Sequence, residues 1–229
     1  MSAAIDYCLP NSYRANLSDQ SVPVAAYTAP PPNFEYQGAV YRYAARLARN
    51  HGLRRILDVG CGSGLKILTY LAGANREITG LDDKVCIDHC RATHATGRWL
   101  VENFDRDAKV IDEEFDLIIC ADVIEHVVYP ERLVAKIVAY AHPETHIVLS
   151  TPDRLRLDEP RPLGPPANPL HVREWTLPEL ARFISAQGIT IVAHRYVPQR
   201  DLTWRQMWWE LRKGNTLRSC QMLHGRVTR

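Results

Sequence analysis

The sequence predicts a single α/β domain, a mostly parallel β-sheet with helices packed on both faces. Three observations predict it. Between residues 54 and 196, short apolar runs alternate with stretches of helical periodicity, the pattern of parallel strands joined by helical crossovers. The first run ends in a glycine-rich turn, RRILDVGCGSG at 54–64, immediately before a helix-forming segment. A chain of 229 residues, 46% hydrophobic and 24% charged, suffices for one well-buried core and is short for two independent domains.

The elements follow in order. Residues 1–36 contain Pro30, Pro31 and Pro32, which cannot continue a helix, so they read as an irregular N-terminal arm or lid. From 37 to 50, Val40, Ala44, Leu47 and Ala48 form an i, i+4, i+7, i+8 stripe on a packing helix that ends near Gly52. Strands are expected at 54–59, 77–81, 98–101, 115–120, 146–150 and 190–196, with helices near 65–71, 85–93, 131–141 and 177–187. The helix at 177 is the best signalled: Thr176 and Glu179 form a capping box, Pro178 sits in the first turn and Gly188 follows as a stop. The Pro- and Gly-rich connection 151–175 exceeds ordinary loop length and reads as an active-site lid within a domain spanning 37–200.

Residues 201–229 read as a basic, Trp-rich extension. Trp204, Met207, Trp208 and Leu211 fall at helical spacing, and from Arg195 onward eight basic residues stand against two acidic ones. Such a stripe serves a core or a subunit contact, which makes a homodimer an expected assembly; its arginines also offer a surface to an anionic partner.

Composition removes several classes of function. The net charge of +2 does not call for nucleic acid, and no stretch reaches the roughly 18 apolar residues of a membrane helix. Residues 1–20 lack a basic start followed by an apolar run, so a cytoplasmic protein without a membrane span is expected. The six cysteines are irregularly spaced and give no disulfide framework. Cys86, His89, Cys90 and His94 share one predicted helix; zinc sites draw more often on separate elements, so these read as buried thiols and solvated imidazoles, and no metal ligand set is assigned.

The glycine turn carries the first chemistry. Gly60, Gly62 and Gly64 let the backbone turn tightly and approach a ligand at a helix N-terminus. The spacing departs from the GxGxxG of dinucleotide enzymes, and Asp58 at the strand end suits an ammonium group better than a pyrophosphate. Eighteen residues beyond Gly64, Asp82 closes the second strand in ITGLDD, where a carboxylate can accept both hydroxyls of a ribose.

In order along the chain, LDVGCGSG, TGLD, ENFD and FDLIICADVIEHV resemble the successive motifs of class I S-adenosylmethionine-dependent methyltransferases, the group that includes ubiquinone-biosynthesis-type enzymes. The resemblance covers about residues 37–196. It implies the Rossmann-like class I fold, a seven-stranded, mostly parallel sheet with S-adenosylmethionine lying over the strand ends. Carried over by residue, it implies the methionine end of the cofactor at Asp58, Gly60 and Gly62, with Cys61 and Gly64 in the same turn. The ribose falls to Asp82 and the adenine to Asn103 and Phe104, with Ala121 closing the fourth strand. Asn103 stands where the family often has an Asp, and its side-chain carbonyl can still accept the adenine amino group.

The acceptor side follows from ADVIEH at 121–126, which leaves the fourth strand where the sheet order switches. Glu125, His126 and His171 are the catalytic candidates and Asp122, Arg173 and Trp175 the acceptor-binding ones. His126 suits a general base near neutral pH, with bracing of the loop by the Glu125–His126 pair as the structural alternative. NPLHVREW at 168–175 resembles a segment of bacterial family members encoded among surface-glycan and natural-product functions. There His171 and Arg173 can hydrogen-bond a polar acceptor and Trp175 can stack on a sugar face; alternatively Arg173 pairs with Glu174 while Trp175 anchors the lid. Asp122, Glu125 and Asp153 can accommodate Mg²⁺, although no motif specifies it. The expected reaction is O-methylation of a small sugar or polyhydroxylated acceptor. N- or C-methylation of a natural product or quinone precursor, and methylation of RNA or protein through the basic C-terminus, are the alternatives.

Overall fold

The structure is a computed structural model that describes residues 7–17, 36–73, 75–107, 110–212 and 219–228. Its strands are β1 (Arg55–Val59), β2 (Glu77–Asp82), β3 (Arg98–Val101), β4 (Phe115–Ala121), β5 (Ala141–Pro152), β6 (Ile189–Val197) and β7 (Cys220–Val227). The helices are α1 (Gly38–His51), α2 (Leu65–Leu71), α3 (Lys84–Thr93), α4 (Pro130–Ala139), α5 (Leu177–Ala186) and α6 (Trp204–Arg212).

All seven strands form one sheet in the order β3-β2-β1-β4-β5-β7-β6. Strands β1 to β5 run parallel, and β7 lies antiparallel between β5 and β6. Because crossover helices cover both faces, the central strands are buried at every position but Arg55 in β1 and Asp116 in β4, and they read as largely apolar runs. Successive residues of β1 divide between two cores. Ile56 packs with Val40 and Ala44 of α1, Ile67 of α2 and Ile87 of α3. Leu57 and Val59 pack on the other face with Leu133 and Ile137 of α4 and Leu180 and Phe183 of α5. The capping box forms as expected: the Glu179 carboxylate accepts from the Thr176 amide at 2.8 Å.

Three placements differ from expectation. The seventh strand that the resemblance implies had no place among the six apolar runs; it is β7, and its position inside the sheet makes 220–227 part of the core rather than of an extension. Its polar residues are buried with partners: Gln221 Nε2 donates to the Trp175 carbonyl at 2.8 Å, and His224 contacts His146 at 2.9 Å and the Tyr43 hydroxyl at 3.0 Å. Helix α6 forms where its stripe predicts, yet Trp204 and Trp208 are 70% and 53% exposed, so the stripe covers no core. Finally, much of 151–175 is interior. Asp153, Arg154, Val172, Arg173 and Trp175 are buried, and residues 7–17 run over the segment. The amides of Arg14 and Asn16 donate to the carbonyls of Leu163 and Val172, while Trp175 Nε1 donates to the Tyr7 carbonyl at 2.9 Å. Among the described residues, no helix is long and apolar enough to cross a membrane.

Candidate active site

The sheet order reverses between β1 and β4, so the connections that leave them diverge and open a crevice at their carboxyl ends. A cavity of about 970 Å³ lies there. The glycine turn forms one wall. Gly60 has φ +78°, and a Cβ on it would stand 2.3 Å from Val123 Cγ2, so only glycine fits the turn. Asp82 holds the turn from the neighbouring strand: its carboxylate accepts from the Gly62 amide and the Asp83 amide, each at 2.7 Å. Burial raises the Asp82 carboxyl to about 6.

Gly60, Cys61, Gly62, Asp82, Asn103, Phe104 and Ala121 all face the cavity. Asp58 and Gly64 lie behind it. Asp58 is fully buried, and the Tyr41 hydroxyl donates to both of its oxygens at 3.0 and 3.1 Å. Burial pushes its carboxyl up to about 7, with Tyr41 and the Lys66 charge pulling the other way. Gly64 opens α2 with φ +72°. Asn103 Oδ1 accepts from the Asp105 amide at 2.9 Å, which fixes the side chain in a local turn. Cys90 of α3 and His94, just past its end, brace the glycine turn from outside: Cys90 Sγ meets the Gly62 carbonyl at 3.2 Å and His94 Nε2 the Ser63 carbonyl at 2.7 Å.

Three cavity residues carry no signal that the sequence reading used. Tyr41 lies on α1, where the stripe marked only packing, and its partner Asp58 is seventeen positions away. Lys66 follows the glycine turn, and its ammonium donates to Gln37 Oε1 at 2.9 Å, while Gln37 Nε2 donates to the Ala121 carbonyl at 3.0 Å. A lysine in the first turn of the helix after the glycines was the one local clue.

Asp122, Glu125 and His126 line the opposite wall, joined by His171. Asp122 has φ +54°, uncommon for a residue with a Cβ, and the Ser150 hydroxyl donates to its carboxylate at 2.7 Å. Glu125 is fully buried; the Thr151 hydroxyl donates to Oε2 at 2.8 Å, and its backbone carbonyl accepts the Val172 amide at 2.7 Å. Burial and the Asp122 charge hold its carboxyl well above the ordinary range. His126 Nδ1 donates to the Leu170 carbonyl at 2.8 Å, which leaves the lone pair on Nε2. Burial, then the neighbouring His171, lowers its pKa to about 4, so the ring is neutral near pH 7. The two imidazoles meet edge to face with centroids 4.8 Å apart.

Arg173 and Trp175 are not brought to this cavity. The Arg173 guanidinium donates to the Val128 carbonyl at 2.9 Å and lies over the Tyr7 ring; Trp175 is fully buried and stacked on Phe183. Their side chains hold the 151–175 segment to the domain, so neither ring nor guanidinium is presented to an acceptor. Asp153 is likewise turned into packing, accepting from the Leu177 amide and the Tyr196 hydroxyl.

A doubly wound sheet with a glycine turn and a strand-closing carboxylate at its switch point defines the class I methyltransferase fold. The chain belongs to the methyltransferase-domain family, whose model matches residues 34–204. It is similar to the ubiquinone biosynthesis O-methyltransferase of Photobacterium profundum, 29% identical over 106 residues that cover 44% of this chain and 45% of that protein. The chain spans about half the length of the curated relatives it matches. Among solved structures it resembles an S-adenosylmethionine-dependent methyltransferase of Mesorhizobium loti, with a TM-score of 0.61 at 20% identity, covering 76% of this chain and 90% of that one. It also resembles the 1,6-didemethyltoxoflavin-N1-methyltransferase of Burkholderia thailandensis, solved with 1,6-didemethyltoxoflavin and S-adenosylhomocysteine. There the TM-score is 0.58 at 18% identity, covering 84% of this chain and 80% of that one.

Proposed function

We propose that this chain transfers the methyl group of S-adenosylmethionine to a hydroxyl oxygen of a small polyhydroxylated acceptor, a sugar or a compound like it. One observation carries the reading: the glycine turn with Asp82 and the neutral imidazole of His126 face the same cavity. Asp82 and the turn suit the adenosyl group, and Asp58 behind them suits the ammonium of its methionine end. His126 Nε2 takes the acceptor proton, the oxygen attacks the methyl carbon, and the carbon–sulfur bond breaks with its electron pair on sulfur. S-adenosylhomocysteine leaves as the product. The name of the Photobacterium profundum relative, an O-methyltransferase, supports oxygen as the acceptor atom.

The test is radiolabelled S-adenosylmethionine offered with sugars, glycosides, phenols and amines, using the wild type and His126→Gln. Transfer to a hydroxyl compound is expected, with turnover in the variant down by about 10² or more while S-adenosylhomocysteine binding holds. Transfer to amines alone, or undiminished turnover in the variant, rejects the reading. The exposed face of α6 supports a contact between two copies of the chain, which light scattering measures directly.

A further inference from the structure

A second cavity, of about 410 Å³, lies between α1 and β6, and none of the residues that line it lines the active-site cavity. Arg42 and Arg46 reach it from α1 and Arg195 from β6. The two α1 arginines stand one turn apart on a helix that has no acidic residue to offset them. Asp201 neutralises Arg42, accepting from both of its terminal nitrogens at 2.6 and 2.7 Å. Among the described residues, Arg46 and Arg195 have neither a carboxylate nor a hydrogen-bond acceptor. Their guanidiniums instead lie over one ring, that of Tyr43, at 5.2 and 4.7 Å from its centroid. Two like charges held against one ring repel each other, and an anion bound by both relieves the repulsion.

The hydroxyl of the same tyrosine supplies an independent observation. The Arg226 guanidinium can only donate, so His146 Nε2, 3.1 Å away, accepts and the ring carries its proton on Nδ1. That proton goes to His224 Nε2 at 2.9 Å, which places the His224 proton on Nδ1, and this one goes to the Tyr43 oxygen at 3.0 Å. Burial lowers both imidazoles to about 4, so near pH 7 each ring carries one proton and the order holds. Tyr43 therefore accepts from β7 and keeps its own O–H to give. Among the described residues, none takes it.

We propose that Arg46, Arg195 and the Tyr43 hydroxyl bind the phosphoryl group of a small phosphate monoester. Two guanidiniums and a hydroxyl match, in charge and in donors, a dianion with terminal oxygens on one phosphorus. Phosphate alone would leave the apolar wall of Val197, Pro198 and Met222 uncovered, whereas a sugar or nucleoside carried on the phosphorus fills the space beside it. A nucleic acid would need a run of phosphate contacts along a surface. Here Asp201 takes up the charge of the adjacent Arg42, which leaves two free guanidiniums for a single phosphoryl group. No residue of the methyl-transfer centre contributes to the site, so the proposal does not rest on that reading.

The test uses the full chain with its active-site cavity filled by S-adenosylhomocysteine. Calorimetry follows titration with glucose 6-phosphate, uridine 5′-monophosphate, inorganic phosphate, glucose and uridine. At least one monoester is expected to bind, more tightly than inorganic phosphate and far more tightly than its unphosphorylated counterpart. Arg46→Gln and Arg195→Gln are each expected to weaken it at least about tenfold and Tyr43→Phe about fivefold. Unchanged S-adenosylhomocysteine affinity shows that the variants are folded. The proposal is overturned if neither monoester binds the wild type, if both arginine variants bind as tightly as the wild type, or if inorganic phosphate binds as tightly as the monoesters. Binding of a single-stranded RNA oligonucleotide without binding of either monoester also overturns it, in favour of a nucleic-acid surface. Failure of S-adenosylhomocysteine to bind the wild type would instead strike the methyl-transfer reading, and the monoester titration on the free chain would still decide the proposal.

Discussion

Asp58 shows what one buried carboxylate does to the cofactor-free protein. It has no exposed surface, and burial raises its carboxyl from 3.8 to about 7 despite two hydrogen bonds from Tyr41. The unfolded chain therefore ionises this group near pH 4 while the fold resists doing so. Stability is unaffected below that point, declines as pH rises from about 4 to 7, and carries a constant penalty above 7. Asp58→Asn is expected to melt higher than the wild type by a margin that widens over that interval and then levels off, while binding S-adenosylhomocysteine at least about tenfold more weakly. Thermal melts from pH 4 to 8 check the first part and calorimetry the second; a margin independent of pH would assign the effect to packing. The position of Asp58 at a strand end is local and legible in the sequence. Its partner Tyr41 is not, because the stripe on α1 says which face packs and not which hydroxyl reaches a buried acid.

At the scale of elements, the glycine turn was readable because its chemistry is contiguous: strand, three glycines and helix start within eleven residues. Gly60→Ala tests it, since the new methyl meets Val123 and the residue keeps a left-handed φ. A loss of about 1–3 kcal/mol in stability is expected, with S-adenosylhomocysteine affinity reduced in the folded fraction. Denaturant melts and calorimetry measure both, and a variant as stable as the wild type would mean the turn relaxes freely. Strand β7 escaped notice for the opposite reason. Gln221 and His224 break its apolar run, and only long-range partners, Trp175 and His146, make them tolerable inside the sheet. The 168–175 segment falls between these cases. Its sequence offers His171, Arg173 and Trp175 as equals, but nothing local says which side of the chain meets the cavity, and the fold turns only His171 toward it.

Over the whole molecule, the two ends of the described chain close the domain. Residues 7–17 are stitched to 163–175 by Tyr7, Arg14 and Asn16, and Tyr13 accepts from the Glu174 amide at 2.9 Å. A chain starting at residue 36 is expected to keep its sheet yet melt lower, with faster amide hydrogen exchange at Val172 and Glu174, whose donors then face a loosened segment. Exchange unchanged at those two amides would show that the arm merely rests on the segment. Strand β6 has a different dependence: among the described residues its only neighbour in the sheet is β7, which follows it in the chain. On the ribosome, β5 and β6 are therefore both synthesised before the strand that must slide between them. The nascent polypeptide carries two open β edges until that late wedge emerges, an interval in which chaperone capture or a pause in elongation decides whether it matures or aggregates.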